Sequence, residues 1–553
     1  MTLGSDKMEE KMVSGKKFPI AKSHYLKVAV LTAFATLPLL LGISGQGSAN
    51  PPSPPVPWTG PVPKAVCGPN DRVETGLQGQ TTLAERQSGD SERGYNCNLE
   101  LVGQYQGEGT WWFGGGNVTS FDDCAYYSTR GSVFQDRLGA VVVDASDPRN
   151  PHPTAHLNDT PTMLNSHESL KVHQKRKLLA AVQNGQYVSD SVAPPLAPGF
   201  AIYDLSADCR HPVLKASIEL PGTNGHAGQF TPDGMTYYAT NPFQGQTDPA
   251  YRNRIQAIDV SDPSNPVHLL NWEAPVLDVT GEVAGIPHDA SFNKDGTRLY
   301  APQPGRHDGH GVWVRDRPNG LVILDVSDVQ FRRPNPQIRV ISTLFWQDGG
   351  TAQSTLPVTI KGRPHLIFAD EAAGPSGPDG GRLNACAVGL PPSGFARIID
   401  ISDEKNPKLV SKLMLEAHDP ANCPELLTTP GGNRQSDYSA HYCTPDKTEN
   451  PKLLACSHFA AGIRVFDISD PYRPREVAYY KPPAQRTAFL PASSVWAPTN
   501  PDRTVDFAPS DLRWRKHKGE THLWFTTSDN GFQIVRFTKP MHELLGKGKD
   551  DDD

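Results

Sequence analysis

Four histidines occupy equivalent positions along this chain, and together they could bind a transition metal. His226 opens the segment His-Ala-Gly-Gln-Phe-Thr-Pro-Asp-Gly, and His288 opens His-Asp-Ala-Ser-Phe-Asn-Lys-Asp-Gly, with the same spacing from His to Phe to Asp-Gly. His167 and His441 hold the same place in two further segments. Neutral imidazole suits Zn, Cu, Fe and Ni, whereas Ca and Mg prefer oxygen ligands. The pattern predicts a metal site, provided that the fold brings the four side chains together. The alternative is that each imidazole only bonds a neighbouring backbone carbonyl.

Other polar side chains lie close to these histidines in the repeat. Glu371 falls in the segment that lacks such a histidine, and we expect its carboxylate to face inward. His458 directly follows a predicted strand, where it could fill an open coordination position or transfer protons. Glu168 and Asp289 could support ligating imidazoles from outside, although alternation along a strand points them away from their neighbours. We therefore predict His458 and Glu371 as catalytic residues, beside the four histidines as metal ligands.

The elements that must position these residues repeat along the chain. A run of apolar and β-branched residues, ended by Asp and then a Ser-Asp or Ser-Asp-Pro turn, defines a repeat motif that is typical of a buried strand. Its copies lie at residues 141–148, 201–206, 258–263, 322–328, 398–403, 463–474 and 532–537, the second degenerate and the last without the Asp. Seven copies indicate a repeat protein.

Each copy sits in a unit with a predicted turn and strand before it and another strand after it. Four antiparallel strands per unit, with no convincing amphipathic helix between copies, predict an all-β, seven-bladed β-propeller. Residues 99–105 match the fourth-strand pattern and precede the first blade, so we expect this strand to complete the last blade. The histidines then fall where the innermost strands begin, at one mouth of the central channel. Long Gly- and Pro-rich loops at 188–198, 242–252, 304–319 and 374–393 emerge at the same face.

The repeat motif resembles the LVIVD repeat of secreted bacterial and archaeal propellers, over roughly residues 99–537. The resemblance implies the propeller fold and says little about activity. The predicted site layout resembles two further groups. These are the selenium-binding protein and methanethiol oxidase group, which is implied to use copper, and the carotenoid oxygenases, in which four histidines hold iron in a seven-bladed ring. The resemblance implies a transition metal, Cu or Fe rather than Zn, and oxidoreductase chemistry.

The ends of the chain differ in composition from its centre. Residues 1–49 contain basic residues, a short apolar run and a small-residue exit, which is typical of a signal peptide; the alternative is an uncleaved anchor. Residues 50–97 form a Pro-rich linker and N-terminal segment, residues 98–539 the propeller, and residues 540–553 a charged C-terminal tail. Export to the periplasm, the cell surface or the medium follows, with no membrane span after cleavage.

Eight cysteines fit an oxidising compartment, where an even number suggests disulfides. Cys443 and Cys456 fall on adjacent predicted strands, so a cross-strand bridge is possible. Cys386 and Cys423 flank one repeat motif. The remaining pairs, by elimination, are Cys67 with Cys97 and Cys124 with Cys209. The alternative for Cys443, two residues from His441, is a thiolate metal ligand.

Two function classes stay open. The first is a metal-dependent oxidoreductase acting on a small, rather apolar molecule beneath the loops. The second is a non-catalytic exported propeller that binds a protein or a surface ligand through the same face. A net charge of -7 gives no support for nucleic-acid binding. The sequence has no Gly-x-Ser-x-Gly elbow, phosphate-binding Gly-Lys-Ser/Thr loop or paired-Cys zinc motif.

Overall fold

The computed structural model describes most of the chain from residue 56 onward. The described residues are 56–107, 117–128, 139–183, 199–220, 225–241, 255–272, 287–304, 319–348, 350–371, 381–427, 438–485 and 505–545. The predicted signal peptide at 1–49, the last eight residues of the predicted tail and most of the four long loops lie outside them. Among the described residues, no helix is long and apolar enough to cross a membrane.

Seven antiparallel sheets form the blades of a β-propeller, which confirms the predicted fold class. Two strands precede the first blade: β1 (Tyr95–Cys97) and β2 (Leu99–Tyr105). Blade one contains β3 (Thr119–Phe121), β4 (Cys124–Ser128), β5 (Ala140–Asp144) and β6 (His152–Leu157). Blade two contains β7 (Lys171–His173), β8 (Leu178–Val182), β9 (Gly199–Asp204) and β10 (Val213–Glu219). Blade three contains β11 (Ala227–Phe230), β12 (Thr236–Thr240), β13 (Ile255–Asp259) and β14 (Val267–Trp272).

The later blades carry longer strands. Blade four contains β15 (Ser291–Phe292), β16 (Arg298–Gln303), β17 (Asn319–Asp325) and β18 (Arg339–Trp346). Blade five contains β19 (Thr351–Ile360), β20 (Arg363–Glu371), β21 (Ala396–Asp400) and β22 (Lys408–Leu413). Blade six contains β23 (Ala440–Pro445), β24 (Leu453–His458), β25 (Ile463–Asp467) and β26 (Arg475–Lys481). Blade seven contains β27 (Arg513–His517), β28 (Glu520–Thr527) and β29 (Gly531–Phe537). The α-helices are short: α1 (Leu83–Ser88), α2 (Pro161–Leu164), α3 (Ser327–Gln330), α4 (Gly381–Ala387), α5 (Cys423–Leu427) and α6 (Met541–Leu544).

The third strand of each of the first six blades ends at the Asp of the repeat motif, and that Asp holds the turn. Its carboxylate accepts a hydrogen bond from the backbone N–H two residues later, as in Ser261 to Asp259 at 2.9 Å and Ser402 to Asp400 at 2.8 Å. A short polar side chain that bonds its own backbone stabilises such a turn. The motif therefore recurs because every blade must end a buried strand abruptly and reverse the chain.

The N-terminal strand closes the ring, as predicted. Strand β2 pairs antiparallel with β29, from Leu99 opposite Phe537 to Tyr105 opposite Phe532, and supplies the outermost strand of blade seven. The closure therefore joins β2, which precedes blade one, to β29, the last strand among the described residues. Strand β2 covers the edge of β29 that would otherwise be unpaired.

The chain before β2 adds further edge contacts that the sequence did not predict. Strand β1 pairs with β26 as a fifth strand of blade six. Trp58 and Pro61 form parallel bridges with Ser411 and Met414 of blade five. Residues 56–63, the described part of the Pro-rich stretch, are therefore docked along the propeller. Their backbone groups find partners there, for example Trp58 N–H on the carbonyl of Val410 at 3.2 Å.

A cluster of buried ion pairs fixes this N-terminal segment to blade six. Arg464 donates to both oxygens of Glu74 at 2.9 and 2.7 Å and to Glu476 at 3.0 Å. Lys481 donates to Glu74 at 3.2 Å and to the carbonyl of Gln80 at 2.7 Å. Burial alone raises the pKa of Glu74, but Arg464 and Lys481 outweigh it and lower that pKa to about 2. We call Glu74, Arg464, Glu476 and Lys481 the docking cluster.

All eight cysteines are paired. The disulfides join Cys67 to Cys97, Cys124 to Cys209, Cys386 to Cys423 and Cys443 to Cys456, the same partners that the sequence suggested. Cys443 is therefore not a thiolate metal ligand. The Cys67–Cys97 bond also ties the N-terminal segment to β1.

Candidate functional site

The backbone at three of the four histidines is hydrogen-bonded to a neighbouring blade, and the N–H of His226 donates to the carbonyl of Thr240 in its own blade at 2.7 Å. The carbonyl of His288 accepts a hydrogen bond from Thr240 of blade three at 2.6 Å. The N–H of His167 donates to Ser128 of blade one at 3.1 Å, and the carbonyl of His441 accepts from Ser354 of blade five at 3.1 Å. All four histidines are at most 7 % exposed.

The imidazoles meet at the mouth of the channel. The Nε2 atoms of His226 and His288 are 3.0 Å apart. The ring centres of His167 and His226 are 4.7 Å apart, and those of His226 and His288 are 4.5 Å apart. These distances suit side chains that share a ligand.

Glu168 lies at the centre of the group. Its Oε1 is 3.6 Å from His167 Nε2 and 3.3 Å from His441 Nε2. Its Oε2 is 3.2 Å from His226 Nε2 and 3.7 Å from His288 Nδ1. The sequence predicted that strand alternation would turn this carboxylate away, and the structure reverses that prediction. His167 has a φ of +43°, so the backbone is left-handed at this point rather than extended and the alternation does not apply.

Glu371, at the end of β20, supplies a second carboxylate. Its Oε2 is 3.4 Å from His441 Nε2, and its Oε1 is 4.0 Å from His288 Nε2. His441 Nδ1 donates to the carbonyl of Pro509 at 2.6 Å, which turns Nε2 toward both carboxylates. We call His167, Glu168, His226, His288, Glu371 and His441 the His–Glu cluster.

Blade five has no histidine at this place but contributes Gln353, which the sequence interpretation missed. Its Nε2 donates to Glu168 Oε2 and to the Tyr442 hydroxyl, both at 3.2 Å. Gln353 is fully buried. The sequence signal that could have identified Gln353 was its position near the start of an innermost strand, where other blades carry histidine.

Burial and the two carboxylates set the charge of the cluster. Burial alone raises the pKa of Glu168, but His226, His167 and His288 outweigh it and hold that pKa well below its usual range. Burial alone lowers the pKa of His441, but hydrogen bonds to Glu168 and Glu371 raise it to about 10. Burial lowers the pKa of His288 to about 4. At neutral pH the imidazole of His441 is therefore cationic, and that of His288 is neutral.

Two other polar side chains lie apart from the cluster: the predicted catalytic residue His458, and Asp506. The ring of His458 stacks on His418, with ring centres 5.8 Å apart, and its Nδ1 donates to the carbonyl of Cys456 at 3.3 Å. On β24 the preceding residue, Ser457, faces the carbonyl of Pro509, so alternation turns His458 the other way. Asp506, which occupies the place before blade seven that the histidines occupy in other blades, accepts backbone hydrogen bonds from Asp529 and Asn530 and holds a turn in blade seven.

The channel below the cluster is polar. A cavity of about 250 Å³ is lined by residues that include Lys171, Asp289, Tyr442, Asp511 and Arg513. Asp289 lines this cavity, and its carboxylate accepts a hydrogen bond from the N–H of Ala290 at 2.7 Å. Tyr442 separates the cavity from Gln353 and Glu168.

Comparison with known proteins agrees with the repeat motif and the fold. The LVIVD repeat family model matches residues 250–273 and 309–329, which contain the third and fourth copies of the motif. The protein is a β-propeller with LVIVD repeats. None of the curated proteins has a significantly similar sequence.

Solved structures that align with this propeller are distant from it. A periplasmic gluconolactonase of Pseudomonas aeruginosa is 13 % identical, with a TM-score of 0.42, over 79 % of this chain and 99 % of that one. A β-propeller domain from Myceliophteria thermophila is 11 % identical, with a TM-score of 0.43, over 80 % of this chain and 100 % of that one. Hydrazine synthase of Kuenenia stuttgartiensis is 13 % identical, with a TM-score of 0.42, over 79 % of this chain and 99 % of that one. Likeness at this level carries no information about activity.

The donor set of the His–Glu cluster fits a transition metal ion. One donor atom from each of His167, Glu168 and His226 can be chosen so that all three lie within 4.8 Å of one another. Two histidines with one carboxylate are a ligand set that non-haem iron enzymes use. Among the described residues, the ion pairs of Glu168 and Glu371 are with imidazoles, which exchange a proton for a metal readily.

Proposed function

We propose that this protein is a metal-dependent oxidoreductase whose active site is the His–Glu cluster at the channel mouth. The observation that carries the proposal is the convergence of four buried imidazoles from four blades on one buried carboxylate, Glu168. Pairs of donor atoms 3.0–3.7 Å apart are close enough to bind one ion at metal–ligand distances of about 2.0–2.2 Å. The substrate class is a small, rather apolar molecule that enters from the loop-rich face.

Iron is the metal that the donor set favours. The sequence prediction of Cu or Fe rather than Zn rested on the resemblance of the site layout to copper and iron propellers, and the carboxylates shift the preference toward iron, with copper second. When bound, the metal would supply one-electron chemistry, which no side chain of the cluster offers. The protein would supply the ligands, their orientation and a site closed to bulk water.

The residues around the ligands hold them in place. The Pro509 carbonyl fixes the ring of His441, since Nδ1 is bound there and Nε2 is left for a metal. Gln353 donates to Glu168 and so restrains the carboxylate at the centre of the site. Neighbours of this kind set the orientation and basicity of metal ligands.

We also propose that the protein is exported. Four disulfides in one chain are typical of the periplasm, the cell surface or the medium, where thiols are oxidised. This agrees with the signal peptide predicted at residues 1–49, which lies outside the described residues. The resident metal would then be acquired in that compartment or carried out with the folded protein.

One observation favours a second candidate, a propeller that binds a protein or a surface ligand without catalysis. His441 lies between two carboxylates and can balance part of their charge as an imidazolium. In that case the His–Glu cluster would be a buried ion-pair network that joins blades two to six. The ligand would then bind at the loop-rich face.

Metal analysis separates the two candidates. The protein is purified without an affinity tag, and its metal content is measured before and after treatment with chelator and reloading with Fe(II). The double variant His226→Ala/His441→Ala lacks two of the four imidazoles and should bind no metal at the cluster, while circular dichroism stays that of a β protein. The control is His152→Ala/His268→Ala, which removes two imidazoles from outer strands and should retain full metal content. Wild-type protein that binds no metal beyond the level of the double variant would refute the enzyme proposal.

A further inference from the structure

We propose that the His–Glu cluster holds two metal ions, bridged by the carboxylates of Glu168 and Glu371. The inference rests on the proposed function, because it concerns the same site, but it makes a separate claim about the number of ions. It follows from how the two oxygens of each carboxylate are distributed among the imidazoles.

Glu168 divides the four imidazoles into two pairs. Oε1 faces His167 Nε2 at 3.6 Å and His441 Nε2 at 3.3 Å. Oε2 faces the other pair, His226 Nε2 at 3.2 Å and His288 Nδ1 at 3.7 Å. Within that second pair the two Nε2 atoms are 3.0 Å apart. A carboxylate that presents one oxygen to each of two pairs of imidazoles has the arrangement of a bridging ligand.

Glu371 repeats this division from the opposite side of the ring. Its Oε2 lies 3.4 Å from His441 Nε2, in the first pair, and its Oε1 lies 4.0 Å from His288 Nε2, in the second. Both carboxylates therefore span the same two pairs. The first ion would receive His167, His441 and one oxygen of each carboxylate. The second would receive His226, His288 and the two remaining oxygens.

At His441, the nitrogen that faces both carboxylates indicates direct ligands rather than an outer layer, whereas at His288 Glu168 faces Nδ1 and Glu371 faces Nε2. An outer carboxylate bonds the ring nitrogen that the metal does not use. At His441 that nitrogen is Nδ1, and the backbone carbonyl of Pro509 already occupies it. Both carboxylates instead approach Nε2, the nitrogen left for a metal.

The count of donor atoms leads to the same result. Four imidazoles and two carboxylates offer four nitrogens and four oxygens, which are more donor atoms than one four- or five-coordinate ion can use. Two ions give each ion two nitrogens and two oxygens and use both carboxylates completely. Carboxylates that bridge two ions hold them about 3.5–4 Å apart.

Metal stoichiometry and spin coupling test this inference. Tag-free protein is stripped with chelator, reloaded anaerobically with Fe(II) for elemental analysis or with Mn(II) for electron paramagnetic resonance, and compared with the double variant His226→Ala/His441→Ala as background. We expect two ions per chain and a spin-coupled Mn(II) spectrum. His226→Ala and His441→Ala, each taking one imidazole from a different pair, should each bind one ion and give an uncoupled spectrum.

Two further results decide the outcome. Glu371→Gln keeps the side-chain volume but removes the bridging charge, so it should bind fewer than two ions even if an alanine variant fails to fold. One ion per wild-type chain with an uncoupled spectrum would overturn the two-ion site and leave the proposed function standing. No specific ion in the wild type would overturn both.

Discussion

Two of the buried carboxylate clusters in the described part of the chain differ in their counter-charges. In the docking cluster, Glu74 and Glu476 face Arg464 and Lys481, whose charges do not depend on bound ligands. In the His–Glu cluster, Glu168 and Glu371 form their ion pairs, among the described residues, with imidazoles. A carboxylate paired with Arg or Lys already has a stable counter-charge in the folded protein. A carboxylate paired with histidines can exchange protons for a metal ion.

The comparison shows how to tell a structural ion-pair network from a candidate active site. Both clusters are buried and both shift pKa values, so burial and titration do not separate them. The partners do. Arg464 satisfies two carboxylates with directed hydrogen bonds, and Lys481 also bonds the backbone of the segment it holds. The four imidazoles instead present nitrogens to a common centre.

The largest effect that we predict comes from breaking the docking cluster. Arg464→Met leaves Glu74 and Glu476 buried with fewer cations, so the free energy of unfolding should fall by about 3–5 kcal/mol, as measured by denaturant titration. Metal content per folded chain should not change. Arg475→Met, which removes an exposed ion pair with Asp467 on the same blade, is the control and should cost at most about 1 kcal/mol. Equal losses in the two variants would contradict the structural role of the docking cluster.

The acid sensitivity of the docking cluster should be of similar size. The pKa of Glu74 is lower in the folded protein, at about 2, than its ordinary value of 4.5, so the unfolded chain takes up the proton first as pH falls. Its stabilising contribution is complete above pH 4.5 and is lost toward pH 2. The stability difference between wild type and Glu74→Gln should therefore shrink by on the order of 3 kcal/mol over that window. A difference that stays constant in denaturant titrations across this range would refute the assignment.

The His–Glu cluster should respond to metal instead. At free metal 100-fold above the dissociation constant, bound metal should raise the free energy of unfolding by about 2.7 kcal/mol for each ion. The increment should be the same in Arg464→Met, because the docking cluster does not contribute ligands. It should vanish in His226→Ala/His441→Ala and on addition of chelator to the wild type. Stabilisation that persists in the double variant would place the metal elsewhere.

The smallest predicted effect concerns Gln353. Gln353→Ala removes the hydrogen bond that restrains Glu168 without removing a ligand, so metal affinity should fall by about 10- to 100-fold while stoichiometry stays the same. Competition with a metal indicator measures the affinity. Gln533→Ala, which removes a buried amide from blade seven, is the matched control. An unchanged affinity in Gln353→Ala would limit its role to packing.

The sequence predicted the blades well because their signal is local. Each repeat motif carries its own strand, and six of the seven copies carry their own turn-forming Asp, so a few residues are enough to recognise a copy. The ring closure by β2 followed from counting strands at the two ends. Strand β1 and the Trp58 bridge escaped prediction, because three-residue pairings and single parallel contacts leave no periodic pattern.

The site was predicted in part for the same reason. The four histidines share a position in the repeat, and radial repetition places equivalent positions together. Glu168 was misread because its orientation depends on a left-handed backbone at His167, which no residue type at that position signals. The sequence also placed His458 near the imidazoles, whereas the alternation of β24 turns it toward His418. The repeat pattern shows which blades contribute to the site, whereas individual backbone dihedral angles decide which side chains point into it.

The closing strand also sets an order of events during synthesis. Glu100 in β2 binds Arg536 in β29 across 436 residues of sequence. At about 5–20 residues per second, β2 leaves the ribosome roughly 20–90 s before its partner exists. During that time blade seven cannot form, and β2 has an unpaired edge open to other chains. The earlier blades can fold as they emerge, but the ring becomes one cooperative body only when the last strand has been made.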